Sequence, residues 1–254
     1  MPLFPSKGRP DRDCGGRPAF PLYARPSRAA LYPLLSGYRL PLVRPRDQRT
    51  RPAALYVWRL KRSHLRTEFH QRVAERVVAA FQAGWLADIG CGPGLLARKL
   101  LARTPELRLV CVDIDSKMLE AARSSGCRYL VRASADQLPF RSGVINLVVS
   151  TASLKDWANP AKGLAEILRV IPVESAGFVF DFITVGPGSN PPHFARRYGI
   201  AAELLRRVMG VFVSFSIDDA RKLAQGLSAL GAQVEIETET DLGVLGMIIR
   251  KRKN

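Results

Sequence analysis

Cysteine is scarce in this 254-residue sequence. The four residues, Cys14, Cys91, Cys111 and Cys127, are widely spaced and form no Cys-x-x-Cys pair. No metal site and no disulfide framework are therefore expected. A reduced compartment, the cytoplasm, is the expected location. Histidine is scarcer still, limited to His64, His70 and His193. No uncharged apolar run of about 18 residues occurs, so no membrane span is expected. Acidic residues are also few, 22 against 39 Lys and Arg, for a net charge of +17.

That charge is unevenly placed. Residues 1–66 hold fifteen Lys and Arg against three Asp, a balance of +12, which leaves only +5 for the rest. Ten of the eighteen prolines lie in residues 1–52. Leu31–Leu35 and Leu40–Val43 are broken by proline, and no sustained period develops. Such a stretch buries too little apolar surface to offset its conformational entropy. Residues 1–54 are therefore expected to be a basic, disordered segment ahead of a domain over 55–254. A targeting peptide, an RNA- or phosphate-binding arm and an over-extended reading frame are the alternatives.

Periodic sequence follows. Phe69, Val73, Val77, Val78 and Phe81 recur at helical spacing, predicting a helix over 64–83 that places His64 and His70 at the surface. Trp85–Ile89 reads as a strand entering a glycine loop. A helix over Leu95–Arg103 follows, then a buried strand over Leu107–Val112 that ends at Asp113. Ser116 starts a helix running to Ser125, with Asp115 or Ser116 as its cap. Strands are predicted at Tyr129–Val131, Val144–Ser150 and Gly177–Ile183, with a helix over Pro160–Val170. Beyond these, helices are expected over Ala195–Met209 and Ile217–Leu230. Strands Val234–Glu239 and Val244–Ile249 then flank a turn at Leu242-Gly243. The alternation implies an α/β Rossmann-like three-layer sandwich, a mainly parallel seven-stranded sheet with an antiparallel C-terminal hairpin.

The chemistry concentrates at Asp88-Ile89-Gly90-Cys91-Gly92-Pro93-Gly94. Three glycines remove every Cβ from the approach and permit positive φ. A nicotinamide or flavin site would want Gly-x-Gly-x-x-Gly for a pyrophosphate, but here the third glycine comes one place early. Asp88 sets a carboxylate at the strand end, which suits a cationic ligand better than a pyrophosphate. S-adenosylmethionine carries both an ammonium and a sulfonium. Asp113, nineteen residues past Gly94 at the end of the next strand, can accept from both ribose hydroxyls.

These residues resemble the class I S-adenosylmethionine-dependent methyltransferases, and more narrowly the ubiquinone/menaquinone biosynthesis (type 11) group. Asp88–Gly94 is similar to their first motif, and Val112-Asp113-Ile114-Asp115 with Lys117-Met118-Leu119 to their second. Ala135-Asp136-Gln137-Leu138-Pro139-Phe140 resembles their Asp-Ala-Glu-x-Leu-Pro-Phe stretch. Asn146–Ser150 and Ala165–Val170 resemble the fourth strand and the helix after it. The resemblance implies a methyltransferase whose cofactor touches Asp88, Gly90, Cys91, Gly92, Gly94, Asp113, Ile114, Ser134, Ala135 and Asp136. The glycines and Asp88 would hold the methionine moiety, Asp113 the ribose, and the Ala135 N–H the adenine. Ser134 stands where the family often has Asp, and a hydroxyl is the weaker acceptor.

The motifs specify the cofactor and leave the acceptor open. A small-molecule acceptor fits the near-neutral motif-bearing region. An RNA or protein acceptor using the basic N-terminal arm is the alternative, and a non-catalytic cofactor-binding protein the third reading. Asp156, in the segment after the fourth strand, and His193 are the candidate catalytic residues. The favoured alternative is that Asp156 and Trp157 merely shape the loop before the Pro160 helix. Asn190-Pro191-Pro192-His193 resembles an amino-methyltransferase motif but falls after the fifth strand, some forty residues late, where a proline-bounded loop is the ordinary reading.

Overall fold

The computed structural model describes residues 64–182, 215–239 and 243–252. The expected disordered segment, the Ala195–Met209 helix and the Asn190–His193 stretch lie outside the described residues.

The chain enters through helix α1 (His64–Ala80), followed by β1 (Trp85–Ile89), α2 (Leu95–Arg103), β2 (Arg108–Asp113), α3 (Ser116–Ser124) and β3 (Tyr129–Arg132). Next come β4 (Leu147–Thr151), a short 3₁₀ turn at Leu154–Asp156, α4 (Pro160–Val170) and β5 (Ala176–Phe182). Helix α5 (Ile217–Ala229) and strands β6 (Ala232–Glu239) and β7 (Val244–Lys251) complete the described elements. The seven strands form one sheet in the order β3-β2-β1-β4-β5-β7-β6. β1 to β5 run parallel, and β7 is antiparallel to both β5 and β6. This is the expected architecture, hairpin included.

Side-chain alternation divides the core in two. Ala87, Ile89, Val110, Val112 and Val148 pack with Leu164 and Ile167 of α4 and Leu223 and Leu227 of α5. Leu86, Leu109, Val149 and Phe178 pack with Phe69, Val73 and Val77 of α1 and Leu96 and Leu100 of α2. Asp88 and Asp113 fall on this second face, in step with Leu86 and Leu109. No helix of the described residues is long and apolar enough to cross a membrane.

Local signals explain most element ends. Asp115, not Ser116, caps α3, its carboxylate accepting from the Lys117 N–H at 2.8 Å. Ser216 and Asp219 form a reciprocal capping box on α5. α1 stops at Ala80, three residues short of the expected end. β4 starts at Leu147 instead of Val144 because the Gly143 and Ile145 amides donate to the Arg169 and Val170 carbonyls at the end of α4.

Two expectations are corrected. Cys111 of β2 and Cys127, just before β3, are joined as a disulfide, their Cα atoms 6.6 Å apart. Sequence spacing hid the pair, because the turn at Gly126 brings Cys127 back beside the strand that carries Cys111. His70 is not a surface residue but only 5% exposed. Its Nδ1 lies 2.6 Å from the Arg66 carbonyl, one helical turn back, and its ring packs beside Phe69. Burial lowers its pKa to about 4.

Candidate functional site

Strand order reverses between β1 and β4, and α/β sheets bind ligands in the crevice outside the carboxyl ends at such a point. The glycine loop leaves β1 there. The Gly90 and Cys91 amides donate to the Val112 carbonyl at 2.8 and 3.0 Å, which ties the loop to the end of β2. Gly90, Gly92 and Gly94 all adopt left-handed φ, at 70°, 52° and 75°.

The three glycines are demanded by different neighbours. A Cβ on Gly90 would lie 2.5 Å from Ser153 Oγ, and one on Gly94 3.0 Å from the Ala122 backbone. A Cβ on Gly92 would meet nothing within 4 Å. Packing therefore accounts for Gly90 and Gly94, whereas Gly92 meets none of the described residues.

Asp113 does more than end its strand. Its Oδ2 accepts from the Gly92 N–H at 2.8 Å and its Oδ1 from the Asp115 N–H at 2.9 Å. Each carboxylate oxygen keeps a further lone pair for a ligand hydroxyl. Burial raises the Asp113 pKa, and the Asp115 and Gly92 amides pull it back. Ile114, next along, is 64% exposed, an apolar platform beside the carboxylate.

Asp88 is the anomaly. It is fully buried, and among the described residues neither carboxylate oxygen has a hydrogen-bond partner. Burial, with the nearby Asp113 charge, raises its pKa to about 7. Cys91 is buried too, and burial followed by the Asp88 and Asp113 charges pushes its thiol well up, away from nucleophilic use.

The segment after β4 supports the loop from the other side. Ser153 Oγ lies 2.7 Å from Ser150 Oγ, donates to the Ile89 carbonyl at 3.3 Å and accepts from Trp157 Nε1 at 3.2 Å. Asp156 is exposed and faces Lys155 Nζ at 3.5 Å. Lys155 also reaches buried Asp181 at 3.5 Å and donates to the carbonyl of Ala152, a non-glycine residue at φ 53°.

The third cluster joins the site through the backbone. The Ala133 N–H donates to the Asp113 carbonyl at 3.1 Å, placing Ser134, Ala135 and Asp136 beside the end of β2. Ala135 is buried, and Ser134 and Asp136 are half-buried. A concavity of about 370 Å³ lies beside this segment, lined by Leu130, Arg132, Ser134, Gln137 and Pro139 among others. It opens at the β3 edge and its lining omits Asp88, Gly92 and Asp113, so the chemistry favours the glycine-loop crevice over the cavity.

The fold thus gathers Asp88, the loop glycines, Cys91, Asp113, Ile114, Ser134, Ala135 and Asp136 around the ends of β1 and β2. It leaves Asp156 at the surface; His193 lies outside the described residues. The Ser153 support went unread in the sequence, where a serine in a polar loop carries no signal.

Residues 87–176 match the methyltransferase domain family Methyltransf_11. The chain is 33% identical over 128 residues to a malonyl-[acyl-carrier protein] O-methyltransferase of Geobacter sulfurreducens, covering 47% of each. It is 29% identical over 89 residues to a demethylmenaquinone methyltransferase of Chlamydia pneumoniae, covering 34% of this chain and 39% of that one. The chain spans about half or less of the length of these curated relatives. Among solved structures, the plantazolicin methyltransferase BpumL in complex with SAH superposes with a TM-score of 0.60 at 13% identity, over 82% of this chain and 92% of that one. The resemblance seen in the motifs is borne out over residues 87–176, which match a methyltransferase domain and lie on a Rossmann-like seven-stranded sheet.

Proposed function

We propose that the chain is an S-adenosylmethionine-dependent methyltransferase acting on a small-molecule acceptor by in-line methyl transfer. One observation carries the cofactor: a buried carboxylate, Asp88, with no hydrogen-bond partner among the described residues, lies under a loop whose central glycine would bring a Cβ within 4 Å of none of them. A cationic, hydrogen-bond-donating ligand meets both demands. BpumL, which shares this fold, binds SAH, the demethylated form of that cofactor.

When bound, S-adenosylmethionine supplies a methyl group already activated by positive sulfur. The chain's task is then to hold, orient and exclude water. Asp88 and Gly90–Gly94 hold the methionine end and Asp113 the ribose. Ile114 covers one adenine face, while Ala135 offers its N–H and Ser134 or Asp136 its oxygen to the ring. Asp156, exposed and paired with Lys155, fits a loop-shaping role better than that of a base. The small-molecule reading follows the demethylmenaquinone and the carrier-borne malonyl group named for the relatives, and the modest charge beyond residue 66.

Calorimetry with S-adenosylmethionine and S-adenosylhomocysteine tests the reading, and both should bind comparably because few contacts involve the transferred methyl. Binding of neither at millimolar concentration would refute it. Asp113→Asn should cost about 2 kcal/mol of cofactor affinity, the scale of a charge-assisted hydrogen bond. Unchanged affinity would reduce Asp113 to a structural tie between the loop and β2.

A further inference from the structure

Helix α4 is apolar where it meets the sheet, yet it carries a carboxylate and a guanidinium three residues apart. Glu166 is 6% exposed. Arg169 grips it in a two-pronged pair, Nε to Oε1 at 2.7 Å and Nη2 to Oε2 at 2.8 Å. Both residues then turn to one neighbouring segment. Glu166 Oε2 accepts from the Leu138 N–H at 2.9 Å. Arg169 Nη2 donates to the Leu138 carbonyl at 3.0 Å and Nη1 to the Phe140 carbonyl at 2.7 Å. A buried ion pair contributes little net stability relative to apolar packing. This one also hydrogen-bonds the backbone of Leu138 and Phe140.

Those residues end the stretch that begins at Ser134. Its front is tied to β2 by the Ala133 bond to the Asp113 carbonyl, and its back is held by α4. Ala135 and Asp136 lie between the two anchors. Hydrogen bonding to an adenine edge demands donors and acceptors held to about 0.5 Å, which an unanchored loop does not supply. We propose that Glu166 and Arg169 are positioning residues for the cofactor's adenine end, fixing the 134–140 segment from behind without touching the ligand. The inference rests on the cofactor reading above.

The test compares S-adenosylhomocysteine with S-inosylhomocysteine on the full chain. Hypoxanthine carries an N–H where adenine has a ring acceptor, and a carbonyl where adenine has its amine. A correctly placed 134–136 segment therefore separates the two ligands. Arg169→Lys keeps the charge and loses the fork; Glu166→Gln keeps the shape and loses the charge. Each variant should weaken S-adenosylhomocysteine at least tenfold and S-inosylhomocysteine less than threefold, so that the preference collapses. Equal weakening of both ligands, or of neither, would overturn the proposal. Wild-type protein that binds neither ligand would refute the cofactor reading instead. Hydrogen exchange on unaltered protein supplies a measurement that does not depend on the variants folding. The Leu138 amide should exchange slowly with or without S-adenosylhomocysteine, whereas Ala135 slows only on its addition. A Leu138 amide that is fast until the ligand arrives would mean that the ligand, not α4, orders the segment.

Discussion

Gly92→Ala should leave the thermal transition within a few degrees of the parent and cut cofactor affinity at least a hundredfold, whereas Gly90→Ala should damage both. The added Cβ at Gly90 would sit 2.5 Å from Ser153 Oγ and 2.6 Å from its Cβ, in a left-handed conformation. Ser153 is tied to Ser150, Ile89 and Trp157, so it does not move aside cheaply. Gly92 has φ 52° but none of the described residues in reach, so alanine there costs only the backbone preference, roughly 1–2 kcal/mol. That corresponds to a few degrees for a domain of this size. The space the methyl would take is the space assigned to the ligand. Thermal denaturation with S-adenosylhomocysteine calorimetry checks both variants. A Gly92→Ala protein that binds like its parent would move the ligand off the loop.

The second large effect concerns pH, and two buried groups drive it in opposite directions. His70 has its pKa lowered to about 4 from 6.5. The unfolded chain takes up that proton first, so stability present above pH 6.5 is lost as pH falls toward 4, by about 3 kcal/mol. Asp88 has its pKa raised to about 7 from 3.8. The folded chain holds that proton, so its contribution is full below pH 3.8 and is lost as pH rises through 7, by about 4 kcal/mol. Between pH 4 and 6.5 the two trends oppose each other. Asp88→Asn should therefore lose stability toward acid more steeply than the parent, and His70→Gln should gain relative to it. Urea denaturation at pH 4.5 and 7 measures both differences, and parallel profiles for all three proteins would contradict the buried-charge account. Because a cationic ligand favours the ionised carboxylate, cofactor binding near pH 6 should also release a proton.

Sequence carried the fold where period and punctuation were strong. β1, α2 and α4 fall where the pattern of apolar residues and the Gly and Pro signals put them, since local rules and packing agree there. The site was legible where one motif is contiguous, as at Asp88–Gly94. It was illegible where function depends on residues from separate elements. Ser153 under Gly90, Asp113 holding Gly92 and Glu166 holding Leu138 span 21 to 63 positions, and no period encodes such pairs. His70 misled for a related reason. Its place on α1 resembled the polar face, yet a histidine whose Nδ1 is satisfied by its own helix carbonyl can be buried neutral.

Helix α1 meets the last strands of the chain. Arg76 lies over the Phe178 and Phe180 rings and pairs with Glu237, and Arg72 reaches Glu239 at 3.5 Å. These ion pairs join residues 161 and 167 positions apart. On the ribosome, α1 emerges first of the described elements and waits for β6 and β7, at roughly 5–20 residues per second. Until the hairpin arrives, β5 has an open edge and the outer side of α1 lacks its acidic partners. Closure of the sheet is then a late, long-range event, the kind of topology that slows folding. Emergence of β6 and β7, more than formation of any single helix, should set when this domain becomes protease-resistant.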